Sequence, residues 1–168
     1  MPWFSFIGRW VAVGSDTYQN EEVTVDGLFK RIYLFGDATD EDVASVIKIA
    51  TPQKYRQGEL VFNEGDEADA MFIVEVGTVD MVPSGKEVAV VTIGSGQALG
   101  EVAFFRGGKR PGSARARETS TIVRIPFDRL EQLLLQRPEF ALSFYRNACG
   151  FLAKHLRTLI KDVDRRYF

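Results

Sequence analysis

YRQGELVFNEGDEADAMFIVEVGTVDMV, residues 55–82, alternates strand-length apolar runs with turn residues. Phe72-Ile73-Val74-Glu75-Val76 is rich in β-branched and aromatic side chains, which suit a pleated, half-buried surface. Asn63-Glu64-Gly65-Asp66 is a turn signal, in which Gly65 can take the positive φ that other residues resist. Gly77 closes the strand and suits a tight reversal between antiparallel strands.

The same texture runs from Tyr55 to Pro126. Short runs of Val, Ile, Phe and Thr, with Ile122-Val123-Arg124-Ile125 the clearest after the first, are separated by glycines and by Pro83-Ser84-Gly85. Strand-length pieces closed by turn residues at intervals of about 8–12 residues predict an antiparallel sandwich or barrel. Helical patterns flank it. Thr39 with Asp42 three residues on predicts a capped helix carrying Val43, Val46, Ile47 and Ala50, stopped by Pro52. A short helix is predicted over 127–136, and Pro138 either breaks it or opens the next.

Beyond Pro138, Leu142, Tyr145, Cys149, Leu152, Leu156, Leu159 and Val163 recur at alternating spacings of three and four, a heptad seam. Such a seam packs either on its own barrel or on a second copy; the length of the helix favours the second copy. At the other end, Trp3, Phe6, Ile7, Trp10 and Val11 fall on one stripe if residues 3–11 are helical, and residues 15–36 read as a helical lead-in. With Arg9 its one basic residue, the stripe predicts packing on its own domain rather than on a membrane surface.

Composition narrows the function. A hydrophobic fraction of 45% excludes a disordered chain. A net charge of -2 supplies no bulk field toward nucleic acid or anionic lipid. One cysteine, Cys149, excludes an internal disulfide and suits a reducing, cytoplasmic setting, and with one histidine, His155, it leaves no structural zinc site. No Walker loop, nucleophile elbow or metal-ligand cluster appears, so no catalytic residue is assigned and the chain reads as a non-enzyme.

A second motif, LGEVAFFRGGKRPGSARARETSTIVRI, spans residues 99–125. Together with residues 55–82 it resembles the cyclic-nucleotide-binding domain family, over roughly residues 35–165. The resemblance implies an α+β, mainly β fold: a double-stranded β-helix or jelly-roll-like β-roll flanked by helices, with a long C-terminal helix. It divides the chain into an N-terminal helical extension (1–36), the roll with its flanking helices (37–138) and a dimerisation and readout helix (139–168). Gly100, Glu101, Val102 and Ala103 match the family's opening half of a phosphate cradle, with Glu101 as the carboxylate for the ribose 2′-hydroxyl. Ser113 and Ala114 match the end of the closing Pro-Arg-(Ser/Thr)-Ala stretch.

The arginine of that stretch is displaced. Gly112 precedes Ser113-Ala114, an ungapped count from Glu101 puts Pro111 at the arginine's place, and Arg110 comes earlier while Arg115 follows. Two readings stand. In one, Arg110 (or Arg115) recovers phosphate binding and the chain senses cyclic AMP or cyclic GMP; in the other, the pocket is degenerate and the fold binds a protein or membrane partner. Lys109, Arg110, Arg115 and Arg117 also read as a solvated basic loop, at least two of the four whatever the ligand. The chain carries no recognition helix after the seam, so the resemblance implies a homodimeric sensor without sequence-specific DNA binding, acting on an unknown effector protein and needing no cofactor.

Overall fold

A computed structural model describes residues 7–12, 18–23, 25–83, 85 and 89–167, with side chains placed over 27–83, 85, 89–154, 156, 157 and 160. In chain order the elements are β1 (Ile7–Ala12), β2 (Tyr18–Val23), α1 (Val25–Arg31), a 3₁₀ turn (Tyr33–Phe35), α2 (Asp40–Ile49), β3 (Thr51–Tyr55), β4 (Leu60–Phe62), β5 (Ala70–Val76), β6 (Thr78–Pro83), β7 (Val91–Gly94), β8 (Ala98–Leu99), α3 (Val102–Arg106), β9 (Gly112–Ala116), β10 (Ser120–Pro126), α4 (Phe127–Gln136) and α5 (Pro138–Tyr167). Strands β3 to β10 form two four-stranded antiparallel sheets, ordered β3-β10-β5-β8 and β4-β9-β6-β7. This is the expected β-roll with flanking helices.

The two-residue period of β5 divides its side chains between two cores. Met71 and Ile73 join Val123 and Ile125 of β10 in a core completed by α1, α2, α4 and α5. Ala70, Phe72 and Val74 face the other way, into the roll, with Phe62, Val79, Leu99, Ala114 and Ile122. Both faces of β5 are therefore covered, which is why residues 70–74 are apolar without alternation.

Gly77 differs from its sequence reading. β5 and β6 lie in different sheets, so the glycine turns a corner between sheets and does not close a hairpin. It sits at φ +90°, and a Cβ there would stand 2.2 Å from Oγ of Ser120. Gly65 takes φ +80° in the expected Asn63–Asp66 turn. Of the second predicted turn, Gly85 has φ +70° and Ser84 lies outside the described residues.

The helices follow their caps. Thr39 and Asp42 form a capping box: the Asp42 amide donates to Oγ1 of Thr39 at 3.2 Å, and the Thr39 amide to Oδ2 of Asp42 at 3.0 Å. Asp42 also accepts from Arg137 at 2.6 Å, tying α2 to the α4–α5 junction. α4 occupies the predicted 127–136, and Pro138 is the first residue of α5.

The N-terminal stripe is corrected. Ile7–Ala12 is a strand paired antiparallel with Tyr18–Val23, Arg9 opposite Glu21 and Trp10 opposite Asn20, so no helix runs through Ile7, Trp10 and Val11, and the helical lead-in begins only at Val25. Ile, Trp and Val are strand formers. Trp3 and Phe6 lie outside the described residues.

Along α5, Phe140, Phe144 and Ala148 are the residues that enter the helical core, while Leu142, Tyr145, Cys149, Leu152 and Leu156 of the seam are exposed, Leu142 at 65%. The domain uses one face of the helix and leaves the seam exposed from Leu142 to Leu156. The side chains of Leu159, Val163 and His155 lie outside those described. Among the described residues no helix is long and apolar enough to cross a membrane.

Candidate functional site

The chain leaves β8 through Gly100, at φ +78°, and enters the single-turn helix α3 at Glu101. Gly107 and Gly108, at φ +71° and +88°, return it along a loop to Arg110 and β9. That loop is stitched to the Asn63–Asp66 turn: the Gly65 amide donates to the Arg110 carbonyl at 3.0 Å, and the Arg110 amide to the Asp66 carbonyl at 2.9 Å. The two sequence motifs are thus one structural unit, the first clamping the loop of the second.

Between α3, this loop and the roll lies a cavity of about 210 Å³. Gly100, Glu101, Val102, Ala103 and Arg110 all line it. Ser113 and Ala114 do not. Strand alternation sends Ala114 into the core of the roll and leaves Ser113 beside Glu64, whose amide donates to its Oγ at 3.0 Å. Arg115 is exposed on β9 and also stays outside the cavity, so Arg110 is the arginine of the two that reaches the pocket.

The Arg110 side chain is 4% exposed. Nη2 donates to the Ala70 carbonyl at 2.5 Å and Nη1 to the Gly100 carbonyl at 3.3 Å. The guanidinium carbon lies 4.3 Å from the Phe62 ring centroid and 5.6 Å from that of Phe72. Nε is buried with no hydrogen-bond partner among the described residues. Burial draws the guanidinium pKa below its ordinary value; Asp69 and Asp66 pull it upward, and Arg124 downward. With both Nη atoms satisfied by backbone carbonyls, this arginine is a strut between β5 and the β8–α3 corner as well as part of the cavity wall.

Gly112 has no room for a side chain. A Cβ at 112 would meet the Val82 carbonyl oxygen at 2.6 Å and Cα of Pro83 at 3.1 Å. β9 passes too close to β6 at this point for any side chain, so the position immediately before Ser113-Ala114 cannot hold an arginine on this backbone.

Glu101 makes no side-chain bond to cap α3. Burial raises its pKa, while its own amide and the Tyr33 hydroxyl pull it down by hydrogen bonding to the charged form. Tyr33 is correspondingly raised, by burial first and then by the Glu101 charge and hydrogen bond. Phe62 from β4, Met81 from β6, Ile93 from β7 and Arg106, which sequence reasoning did not single out, also line the cavity, together with Lys109 of the basic loop. The three apolar residues read only as strand positions, and nothing in their local pattern marks them as lining a cavity. Chemically the site offers an apolar floor, one half-buried carboxylate and three cations, a match for an anion with an apolar ring.

A family model described as "Cyclic nucleotide-binding domain" matches residues 52–137. A cAMP-dependent protein kinase regulatory subunit of Yarrowia lipolytica is 28% identical over 88% of this chain and 38% of its own length. A CRP-like cAMP-activated global transcriptional regulator of Mycobacterium tuberculosis is 27% identical over 79% of this chain and 59% of its own. Both are thus longer proteins of which this chain spans less than two thirds. Among solved structures, the N-terminal domain of a transcriptional regulator from Streptomyces coelicolor A3(2) superposes with a TM-score of 0.69 at 26% identity, covering 76% of this chain and 94% of that one.

Proposed function

The chain belongs to the cyclic nucleotide-binding domain family, and on that premise we propose that it is a regulatory sensor whose cavity takes cyclic AMP or cyclic GMP. The observation that carries the reading is the convergence of Glu101 with Arg106, Lys109 and Arg110 on one apolar-floored cavity. In this reading Glu101 accepts the ribose 2′-hydroxyl, the cyclic phosphate meets the three cations, and the base lies over Phe62, Met81 and Ile93. Lys109 and Arg106 carry more of the phosphate recognition than in a pocket built on one free arginine, because Arg110 already donates to two carbonyls.

Occupancy is transmitted to α5, and through its exposed seam to a second copy of the chain or to an effector protein; the role is binding, not catalysis, in the cytoplasm. The uncovered Leu142, Tyr145, Cys149, Leu152 and Leu156 support the homodimer. The engagement of Arg110 supports a second reading, a retained fold that binds a protein partner without nucleotide. Isothermal titration separates the two. Micromolar binding of cyclic AMP or cyclic GMP, weakened by Glu101→Ala and by Lys109→Ala, is the expected result. No heat from folded protein with either nucleotide overturns the sensor reading.

A further inference from the structure

A second cavity of about 210 Å³ lies between the 3₁₀ turn, α3 and α5. Val102 and Arg106 line it and the first cavity alike, so α3 is their common wall. Three of its lining residues are aromatic: Tyr33, Phe105 and Phe151. Tyr33 lies flat on Phe151, centroids 3.9 Å apart and planes at 12°. Phe105 is fixed against Phe144 at 5.9 Å and against Tyr145 at 6.2 Å between centroids. Walls held in this way are preformed, and a guest need not order them first. Val102 and Leu152 are each more than half exposed, so the cavity opens to solvent.

The cavity has charge of one sign. Among the described residues, Arg106 is the charged side chain that lines it, and no carboxylate does. Arg106 is exposed, and its guanidinium has no hydrogen-bond or ion-pair partner among the described residues. A cation beside an apolar space favours an apolar anion: the ring leaves water, while the carboxylate gains a guanidinium partner. Size narrows the guest. An apolar cavity of about 150 Å³ takes one benzene, so this larger one has room for one or two fused rings, with the carboxylate at the mouth.

We propose that the second cavity binds an aromatic monocarboxylate, its rings among Tyr33, Phe105 and Phe151 and its carboxylate on Arg106. The site itself does not depend on the cyclic-nucleotide reading. Its regulation of the first cavity does rest on that reading. Arg106 is one of the three cations assigned to the cyclic phosphate, and a carboxylate that holds it withdraws it from that phosphate. The two ligands therefore oppose one another, each weakening the other by the same factor. Lys109 and Arg110 still line the first cavity, so the factor is small, about five-fold.

Titration of 2-naphthoate into the isotope-labelled full chain, followed by NMR, tests the site and the coupling separately. The wild type is expected to bind with a Kd of about 0.1–1 mM, with the amides of Phe105, Phe151 and Leu152 shifting. The uncharged 2-naphthamide, with the same rings, is expected to bind roughly ten-fold more weakly. Leu152 lines the second cavity and not the first, and Lys109 the first and not the second. Leu152→Ala should therefore weaken 2-naphthoate several-fold, and Lys109→Ala should leave it unchanged. No binding by the folded wild type overturns the site, and so does binding that responds to Lys109→Ala and not to Leu152→Ala, which puts the rings in the first cavity. Equal affinities for naphthoate and naphthamide overturn the part given to Arg106. Saturating cyclic AMP is expected to weaken 2-naphthoate about five-fold; an unaltered affinity with cyclic AMP bound overturns the coupling. A wild type that binds no cyclic nucleotide sinks the reading of the first cavity alone, and the naphthoate titrations still decide the second.

Discussion

A Cβ on Gly100 would stand 2.6 Å from Nη1 of Arg110, so the guanidinium fills the space that any other residue at position 100 needs. The same glycine carries φ +78° and offers its carbonyl to that guanidinium at 3.3 Å. Gly100 thus serves the arginine strut at least as directly as it opens α3. Gly100→Ala is expected to cost about 2 kcal/mol of stability, from left-handed strain and displacement of a buried, hydrogen-bonded group. Urea unfolding measures it; a loss under about 0.5 kcal/mol would mean that the guanidinium moves aside freely.

Placing an arginine immediately before Ser113-Ala114 is expected to fail. Gly112→Arg places Cβ against the Val82 carbonyl and Cα of Pro83, both backbone atoms of a paired strand. The clash lies in the β6–β9 ladder, so the ladder must open. The variant is expected to unfold at lower denaturant and to gain no nucleotide affinity, read by titration at matched folded fraction. A folded Gly112→Arg protein with tighter binding would show that β9 shifts to accept the side chain.

Arg137 joins the start of α5 to the first turn of α2 through Asp42, at 2.6 Å, and through Glu41. Asp42 is itself buried and already engaged in the capping box. Arg137→Ala removes the outer partner and leaves that carboxylate with its Thr39 bonds alone, a loss of about 1–2 kcal/mol. Thr39→Ala removes the cap itself and is expected to cost about 1 kcal/mol. Both act on Asp42, so a double-mutant cycle in denaturant should show clear non-additivity; additive losses would mean that cap and ion pair are independent.

What was legible in the sequence depended on how local the deciding chemistry is. The Thr39–Asp42 cap, the 127–136 helix and the strands around Phe72–Val76 and Ile122–Ile125 rest on residues within one turn or one pleat of each other, and all are present. Gly77 was identified as a turn, but whether a turn pairs two strands or changes sheet is decided by partners far along the chain, here Ser120. The stripe through Ile7, Trp10 and Val11 fits a helical period and yet forms a strand, because six residues are too few to separate periods of 3.6 and 2 when the side chains are strand formers. In the cavity, Gly100 to Ala103 and Arg110 were found because they lie within one contiguous motif. Phe62, Met81 and Ile93 come from three strands, and no pattern within their own segments marks them as lining one cavity with Glu101.

Glu101 sets stability against function. Burial raises its pKa above the ordinary carboxylate value, so the folded chain holds that proton more tightly than the unfolded chain does. Its contribution to stability is therefore greatest below the unfolded pKa and is lost as pH rises through the raised folded one. Glu101→Gln removes the charged form that burial disfavours in the folded chain while keeping the shape of the side chain. Glu101→Gln is expected to stabilise the empty domain modestly at pH 7, and the gain should vanish when the comparison is repeated at pH 4, where the wild-type carboxyl is protonated. Ligand affinity should move the other way. A ribose hydroxyl donates more strongly to a carboxylate than to an amide oxygen, so the variant is expected to bind cyclic nucleotide about ten-fold more weakly at pH 7. Wild-type affinity should itself decline on acidification, beginning at a higher pH than an ordinary glutamate would give. Paired unfolding and titration curves at the two pH values decide the matter. A variant that is destabilised at pH 7 would mean that the charged carboxylate, held by Tyr33 and its own amide, contributes more to the fold than its burial costs.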